Sequence, residues 1–548
     1  MEPFGAQVYP ALYRDLAERP EAVREFFPLA PEDPAAWARQ ASVVDAGWGG
    51  ARGEFRRAHL VTALGPLHER LGATLAQRAN LRALAEPGSL VVVTGQQAGL
   101  LGGPLYTLYK ALGAVLRADA AARALGRPVL PVFWVASEDH DWSEVSQVGL
   151  VAPAGELVHL RLAGKGDGRS AGSIPVPPEA RHLVGELESL YPPTAEGAPV
   201  LAGLLEGLRQ PRQTLAGWFT WQLHRLLGSR GLLFFDPMLP ALRTLGADVL
   251  AGAPQRAPDT HAMLAERAQA LRAAGYAPGL ELPQEHMHVF AYVDGRRLGL
   301  HVEGGRVRSA DGRVDCSPEE LARLVRERPT DFSPNVVLRP LVQNWCLPVL
   351  CQLGGPGEIA YLAQLGPVFE AWGQQAPPVG PRPGATFISN EDRRALERAG
   401  VELAELRQDL DAVLERVAGA GSSLDLDALF AEERRAVAER YGRLETILAE
   451  VGPGMPQIVG RNADHVRHQL EYLERKAHQH RRRAARAVVG RLRATAARLF
   501  PASGLQERFC SAYPHLLQRG PSWLDELQTA LASAPGPFGT HWLLEERA

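Results

Sequence analysis

The sequence predicts an α/β protein: a doubly wound core around a parallel sheet, carrying β-rich insertions and followed by a long antiparallel coiled-coil arm. Three observations carry this expectation. Short β-branched runs alternate with helix-length amphipathic stretches between residues 89 and 237, as in parallel sheets covered on both faces. Segments rich in Gly and Pro with period-two alternation interrupt that pattern. Beyond about residue 388, apolar residues recur at heptad-like spacing.

In chain order, "ALYRDLAERPEAVREFF" and "RRAHLVTALGPLHERLGATLAQRANLRALA" repeat apolar residues at three- and four-residue steps, so residues 1 to about 85 are expected to be helical. "SLVVVTG" reads as a first strand. "PLYTLYKALGAVLRADAAARALG" is a helix opened by proline, "PVLPVFWVAS" a second strand and "GLLFFDP" a third. Connecting segments are expected at about 151–200, and at about 277–330 with "DG" and "GG" hairpin turns. The core resumes at "FSPNVVLRP" and closes near residue 387. An antiparallel arm follows over 388–500, with breaks at "GAGSS" and "VGPGMP", and a helical tail at 501–548 is expected to return to the core.

The totals restrict the function classes. A formal net charge of −3 over 548 residues gives no general attraction to nucleic acid or to anionic membrane. No apolar run approaches the length that spans a bilayer, and the first residues lack a signal-peptide pattern, so a cytoplasmic protein with no membrane or nucleic-acid partner is expected. The four cysteines are too scattered for a disulfide framework or a structural zinc site, and neither is expected.

Three stretches could carry chemistry. In "VVVTGQQAGLLGGPLYTLYK", glycines at 95, 99, 102 and 103 lead from a strand into a helix. Such a turn offers backbone N–H groups and the positive end of a helix dipole to an anion. Gln96 and Gln97 would add amide groups, and Tyr106 and Lys110 share a helix face. The same glycines also suit a plain tight connection. Neither phosphate-loop signature is present.

In "WVASEDHDWSEV", Glu138, Asp139, His140 and Asp141 follow an apolar strand directly. Catalytic groups are expected outside the carboxyl ends of parallel strands. Acids crowded around a histidine are expected to raise its pKa and make it a general base, or to hold Mg²⁺. In "NVVLRPLVQNWCLPVLCQLGGPGEIAYLAQL", a second Gly-Gly-Pro turn containing Gly355 precedes Glu358 and Tyr361. Arg339 and Gln343 lie upstream as candidate carboxylate ligands.

Together these stretches resemble the bacillithiol biosynthesis cysteine-adding enzymes, the BshC family, over nearly the full length, including "LQER" near the C-terminus. The resemblance implies a Rossmann-type core, a coiled coil that pairs two chains into a homodimer, and a ligase that joins L-cysteine to glucosaminyl malate in the last step of bacillithiol synthesis. Amide formation from a free carboxylate calls for activation, so ATP or ADP is the expected cofactor, with Mg²⁺ as its companion. His140, held by Asp139 or Asp141, would take the amine proton. The glycine turn would stabilise developing negative charge, and Lys110, Arg339 or Arg382 would hold the malate carboxylates. Two other readings exist. One is a non-catalytic dimeric scaffold with a ligand-binding core. The other is a synthetase-like nucleotidyltransferase, although His-x-Gly-His and Lys-Met-Ser-Lys-Ser are absent.

Overall fold

A computed structural model describes residues 2–4, 8–283, 285–419 and 425–546. Five strands form the central sheet: β1 (Leu90–Gln97), β2 (Val129–Ala136), β3 (Leu233–Phe235), β4 (Val349–Gly354) and β5 (Val379–Pro381). They lie in the order β5-β4-β1-β2-β3, all parallel. The chain lays β1, β2 and β3 side by side, then crosses to the far side of β1 for β4. The order therefore reverses between β1 and β4, and a crevice opens beyond the carboxyl ends there.

Burial on both faces explains the uninterrupted apolar runs. Val91 and Val93 of β1 pack with Leu130, Val132 and Trp134 of β2 on one face. Leu90 and Val92 meet Ala114, Ala118 and Ala121 of helix α1 (Leu105–Leu125) on the other. Thr94 Oγ1 donates to the Leu353 carbonyl at 3.0 Å and ties β1 to β4 where the crevice begins.

The second insertion is the expected hairpin set: His286–Val293, Arg296–Glu303 and Arg306–Ser309 pair antiparallel across the DG and GG turns. The first insertion differs from expectation. It contributes only the strand Leu157–Arg161, paired with Gln147–Val151, and then turns helical over Ala180–Leu190 and Ala198–Leu208. Leu183, Val184 and Leu187 bury one helical stripe, so the neighbouring prolines and glycines mark helix ends, not β-turns.

Two compact units result. The first comprises residues 1–153, 157–387 and 504–544; the second comprises 154–156, 388–503 and 545–548. The second unit is built on Leu410–Gly419, Leu426–Leu448 and the 45-residue helix Met455–Leu499. Both shorter helices pack on the long one. The break expected at "GAGSS" falls largely outside the described residues. Among the described residues, no helix is long and apolar enough to cross a membrane.

Two buried imidazoles make the first unit sensitive to acid. Burial holds His224 down to about 4 and His288 down to about 3, against an ordinary value near 6.5. The unfolded chain binds these protons first, so stability falls as pH drops from about 6.5 through 4 towards 3. Urea midpoints measured between pH 7 and pH 4 should decline. His288 has φ +59, which asparagine tolerates, so His288→Asn should make the decline shallower.

Candidate active site

The crevice beyond β1, β2 and β4 is a cleft of about 560 Å³. Gly95, Gln96 and Gln97 line it from the end of β1, and Glu138, Asp139 and His140 from the loop after β2. Arg339 lines it from the helix Leu338–Cys346, and Gly355, Glu358 and Tyr361 from the turn after β4 and the helix Pro356–Leu362. Tyr106 and Lys110 face it from α1, and Arg297, Arg382 and Arg508 complete it. Thus the three stretches of the sequence meet in one place.

The Gly99–Gly103 turn does not join them. Gly99, Gly102 and Gly103 are absent from the cleft wall. Gly99 N donates to Gln97 O at 2.8 Å, Gly103 N to Leu100 O at 3.0 Å and Leu105 N to Cys510 O at 2.7 Å. These amides are satisfied by the protein, so the expected oxyanion cradle is instead a tight connection seated on the C-terminal segment. Gly103 adopts φ +71 and ψ −170, a conformation nearly confined to glycine. Gly95 is needed for another reason: a Cβ there would sit 2.7 Å from the Trp134 carbonyl oxygen of β2.

The acidic loop also behaves differently from a base surrounded by acids. Glu138 forms a buried ion pair with Arg243, 105 residues away, and is thereby withdrawn from proton transfer. Asp141 is an N-cap: Oδ1 accepts from Ser143 N and Ser143 Oγ, outside the cleft. Asp139 Oδ1 accepts from the backbone N–H of His140 and of Asp141, and Asp139 makes no ion pair among the described residues.

Neither acid holds the His140 ring. Arg297 does: its Nη1 donates to His140 Nδ1 at 3.2 Å. The His140 pKa is lowered, not raised. Burial is the largest cause and the Arg297 charge the next, together outweighing Asp139 and Asp141.

Lys110 is committed as well. It pairs with Glu358 and donates to Gly95 O and Gln96 Oε1, each at 2.8 Å. Burial pulls its pKa down. Glu358 also accepts from Gly355 N at 2.9 Å, so its carboxylate braces the turn after β4 against α1. Arg382 is 1% exposed and forks onto Glu507, which is 0% exposed. The expected carboxylate ligand is thus already occupied. Gln343 lies behind the wall, accepting from Arg339 at 3.1 Å and donating to Gln352 Oε1 at 3.0 Å.

That leaves the cations with no acid partner among the described residues. Arg339 donates only to Gln343 and to the Tyr361 hydroxyl. Arg508 lies at an exposed position on the cleft wall. Arg297 spends its donors on His140, Ser333 Oγ and the Pro334 carbonyl, with its face 3.9 Å from the Phe290 ring centroid. Arg297 has no local sequence signature, and Arg508 lies in the "LQER" stretch, whose place in the cleft is not legible because it comes from a distant segment. Cys346 and Cys351 are buried, their thiols pushed up to about 12 and about 11, which suits packing and not nucleophilic attack.

Such a cleft, walled by guanidinium groups and amides, has the chemistry that suits a small polyanion. Among the described residues, the one close grouping of three carboxylate or imidazole donors is Asp427, Glu474 and His478 in the second unit. None of these three residues lines the cleft.

Comparison with known proteins agrees with this architecture. Residues 3–383 match the family model described as the BshC N-terminal Rossmann-like domain of bacillithiol biosynthesis, and residues 385–544 match its C-terminal coiled-coil domain. A Symbiobacterium thermophilum relative is 37% identical over 87% of this chain and 88% of its own length. A Solibacter usitatus relative is 32% identical over 93% of each, and one from Bacillus cytotoxicus is 29% identical over 90% and 91%. All three carry the name "Putative cysteine ligase BshC". With both domain models matched in order and a switch-point cleft between β1 and β4, this chain belongs to the BshC family of bacillithiol biosynthesis.

Proposed function

We propose that this protein is a cysteine ligase that joins the carboxyl group of L-cysteine to the amine of glucosaminyl malate, forming the amide bond of bacillithiol. The observation that supports this most is the pair of acid-free guanidinium groups, Arg339 and Arg508, facing the switch-point cleft. The malate portion carries two carboxylates, and one guanidinium can meet each. Gln97 adds an amide at the same mouth. The ion pairs of Lys110, Glu138 and Arg382 keep the remaining buried charges neutralised, so the cleft presents a positive but not overwhelming field.

In this reading the cleft's residues hold the two reactants together and exclude bulk water, which removes much of the entropic barrier to the bimolecular step. ATP or ADP is proposed as the activating cofactor of the same reaction. When bound, ATP would supply a good leaving group on the cysteine carboxylate. Pairing of two chains through the coiled coil belongs to the same proposal.

The test is direct. Purified protein mixed with glucosaminyl malate, L-cysteine and each candidate nucleotide should give the mass of the cysteinyl amide. Nucleotide consumption, followed in the same samples, should match product one for one. No amide under any nucleotide, from protein that still binds glucosaminyl malate, would overturn the ligase assignment.

A further inference from the structure

Among the described residues, the imidazole of His140 has one partner for its ring nitrogens. Arg297 Nη1 lies 3.2 Å from Nδ1. A guanidinium has donors and no acceptor, so Nδ1 must present its lone pair to Arg297. In the neutral ring the proton then resides on Nε2. Among the described residues Nε2 has no partner, and His140 lines the cleft.

We propose that Arg297 is the positioning residue of this site: it fixes His140 as the Nε2–H tautomer, which meets the substrate as a hydrogen-bond donor and not as a proton acceptor. This rests on the cleft being the substrate site. It assigns His140 to the developing negative charge on a carbonyl or carboxylate oxygen, the task that the glycine turn fails to perform. Removal of a preorganised donor of this kind costs roughly 10²–10³-fold in kcat. Proton acceptance from the amine falls to another group, since Nε2 has no lone pair to offer.

The surroundings are built to hold that arrangement. Arg297 is fixed at each of its three nitrogens: besides Nη1 to His140, Nε donates to Ser333 Oγ at 2.9 Å and Nη2 to the Pro334 carbonyl at 2.6 Å. Phe290 lies under the guanidinium and meets the His140 ring edge-on at 5.7 Å. The charged groups facing the ring are Arg297 from the hairpin, and Asp139 and Asp141 from its own loop. Both acids direct carboxylate oxygens at backbone or serine donors, so neither competes for Nδ1. Protonation of the ring would place a second cation against Arg297, which opposes it.

The experiment reads the tautomer itself. In protein labelled with ¹⁵N-histidine, His140 is assigned by difference against His140→Gln. Long-range proton–nitrogen correlations should show an unprotonated Nδ1 and a protonated Nε2 from pH 6 to 9. The His140 titration should lie below the ordinary histidine value. In Arg297→Met the midpoint should rise, because Asp139 and Asp141 then act unopposed, and the Nε2–H preference should relax. Arg297→Lys retains the charge and a donor group without the guanidinium fork, and should restore part of both signals.

Ser333→Ala loosens the arginine without removing its donation to the ring, and should leave the tautomer intact. If Arg297→Met fails to fold, Arg297→Lys and the wild-type spectrum still decide. A wild-type Nδ1–H signal, or a midpoint unmoved in both arginine variants, would overturn the inference. None of these readouts requires turnover, so absence of amide product would remove the ligase assignment and leave this result standing.

Discussion

Replacing Arg382 with alanine should lower unfolding stability by about 3–5 kcal/mol, the cost of stranding one charge of a buried pair. Arg382 and Glu507 are 1% and 0% exposed. Two charge-assisted bonds, at 2.6 and 3.0 Å, join them. Tyr9 donates to Glu507 Oε1 at 2.8 Å, and Tyr13 donates to the Arg382 carbonyl at 2.9 Å. Without the guanidinium, the Glu507 carboxylate has only Tyr9 and the neighbouring His541 to offset burial. Urea midpoints at pH 7 measure the loss. Arg382→Ala combined with Glu507→Ala should recover part of it, because the orphaned charge is gone. A shift under 1 kcal/mol for Arg382→Ala alone would show that solvent reaches Glu507.

The same pair has a functional consequence through sequence proximity. Glu507 and Arg508 are adjacent on the short helix Gln506–Phe509, and Leu105 N reaches Cys510 O at 2.7 Å. Glu507 therefore anchors the segment from which Arg508 reaches the cleft wall. Gly102 and Gly103 contribute to that anchoring and do not line the cleft: the turn carries the bridge between Pro104 and Ser511 and the bond from Ser511 Oγ to Leu101 O. The glycines fold the chain tightly enough for a segment some 400 residues later to lie against it.

What could be read from the sequence follows the range of the forces involved. The three exit-edge stretches are legible because strand burial and helix amphipathicity are local and periodic, and β1, β2 and β3 lie on the short apolar runs. The chemistry of the Glu138–Asp141 cluster is not local. Counting three acids around His140 predicts a raised pKa. The fold instead sends Arg243 to Glu138 and Arg297 to His140, across 105 and 157 residues. Asp141 turns to cap the helix Trp142–Val145. Arg297 follows Arg296 after a DG turn, and strand alternation alone decides that one points to the Asp167 carbonyl and the other to the cleft. Nothing in composition distinguishes the two.

Arg339→Ala should raise the KM for glucosaminyl malate by about 10²–10³-fold while changing kcat far less. The reasoning begins with its partners. Arg339 bonds to the Gln343 amide oxygen and the Tyr361 hydroxyl, both uncharged at neutral pH, and to no acid among the described residues. Glu358 and Glu138 act on its charge only from a distance, so no carboxylate occupies its donors before a ligand arrives. Two hydrogen bonds from a guanidinium to a carboxylate, at about 1.5–3 kcal/mol each, give roughly 3–4 kcal/mol after losses, and each 1.4 kcal/mol is tenfold. The malate carboxylates do not react, so the contact is equal in ground and transition states and appears in KM. Arg339→Lys retains the charge and loses the fork, and should fall between. Thermal midpoints should move little, because no buried acid is orphaned. Isothermal titration with glucosaminyl malate alone separates binding from chemistry: affinity unchanged in Arg339→Ala would place the malate elsewhere, leaving Arg508 as the cleft's carboxylate ligand.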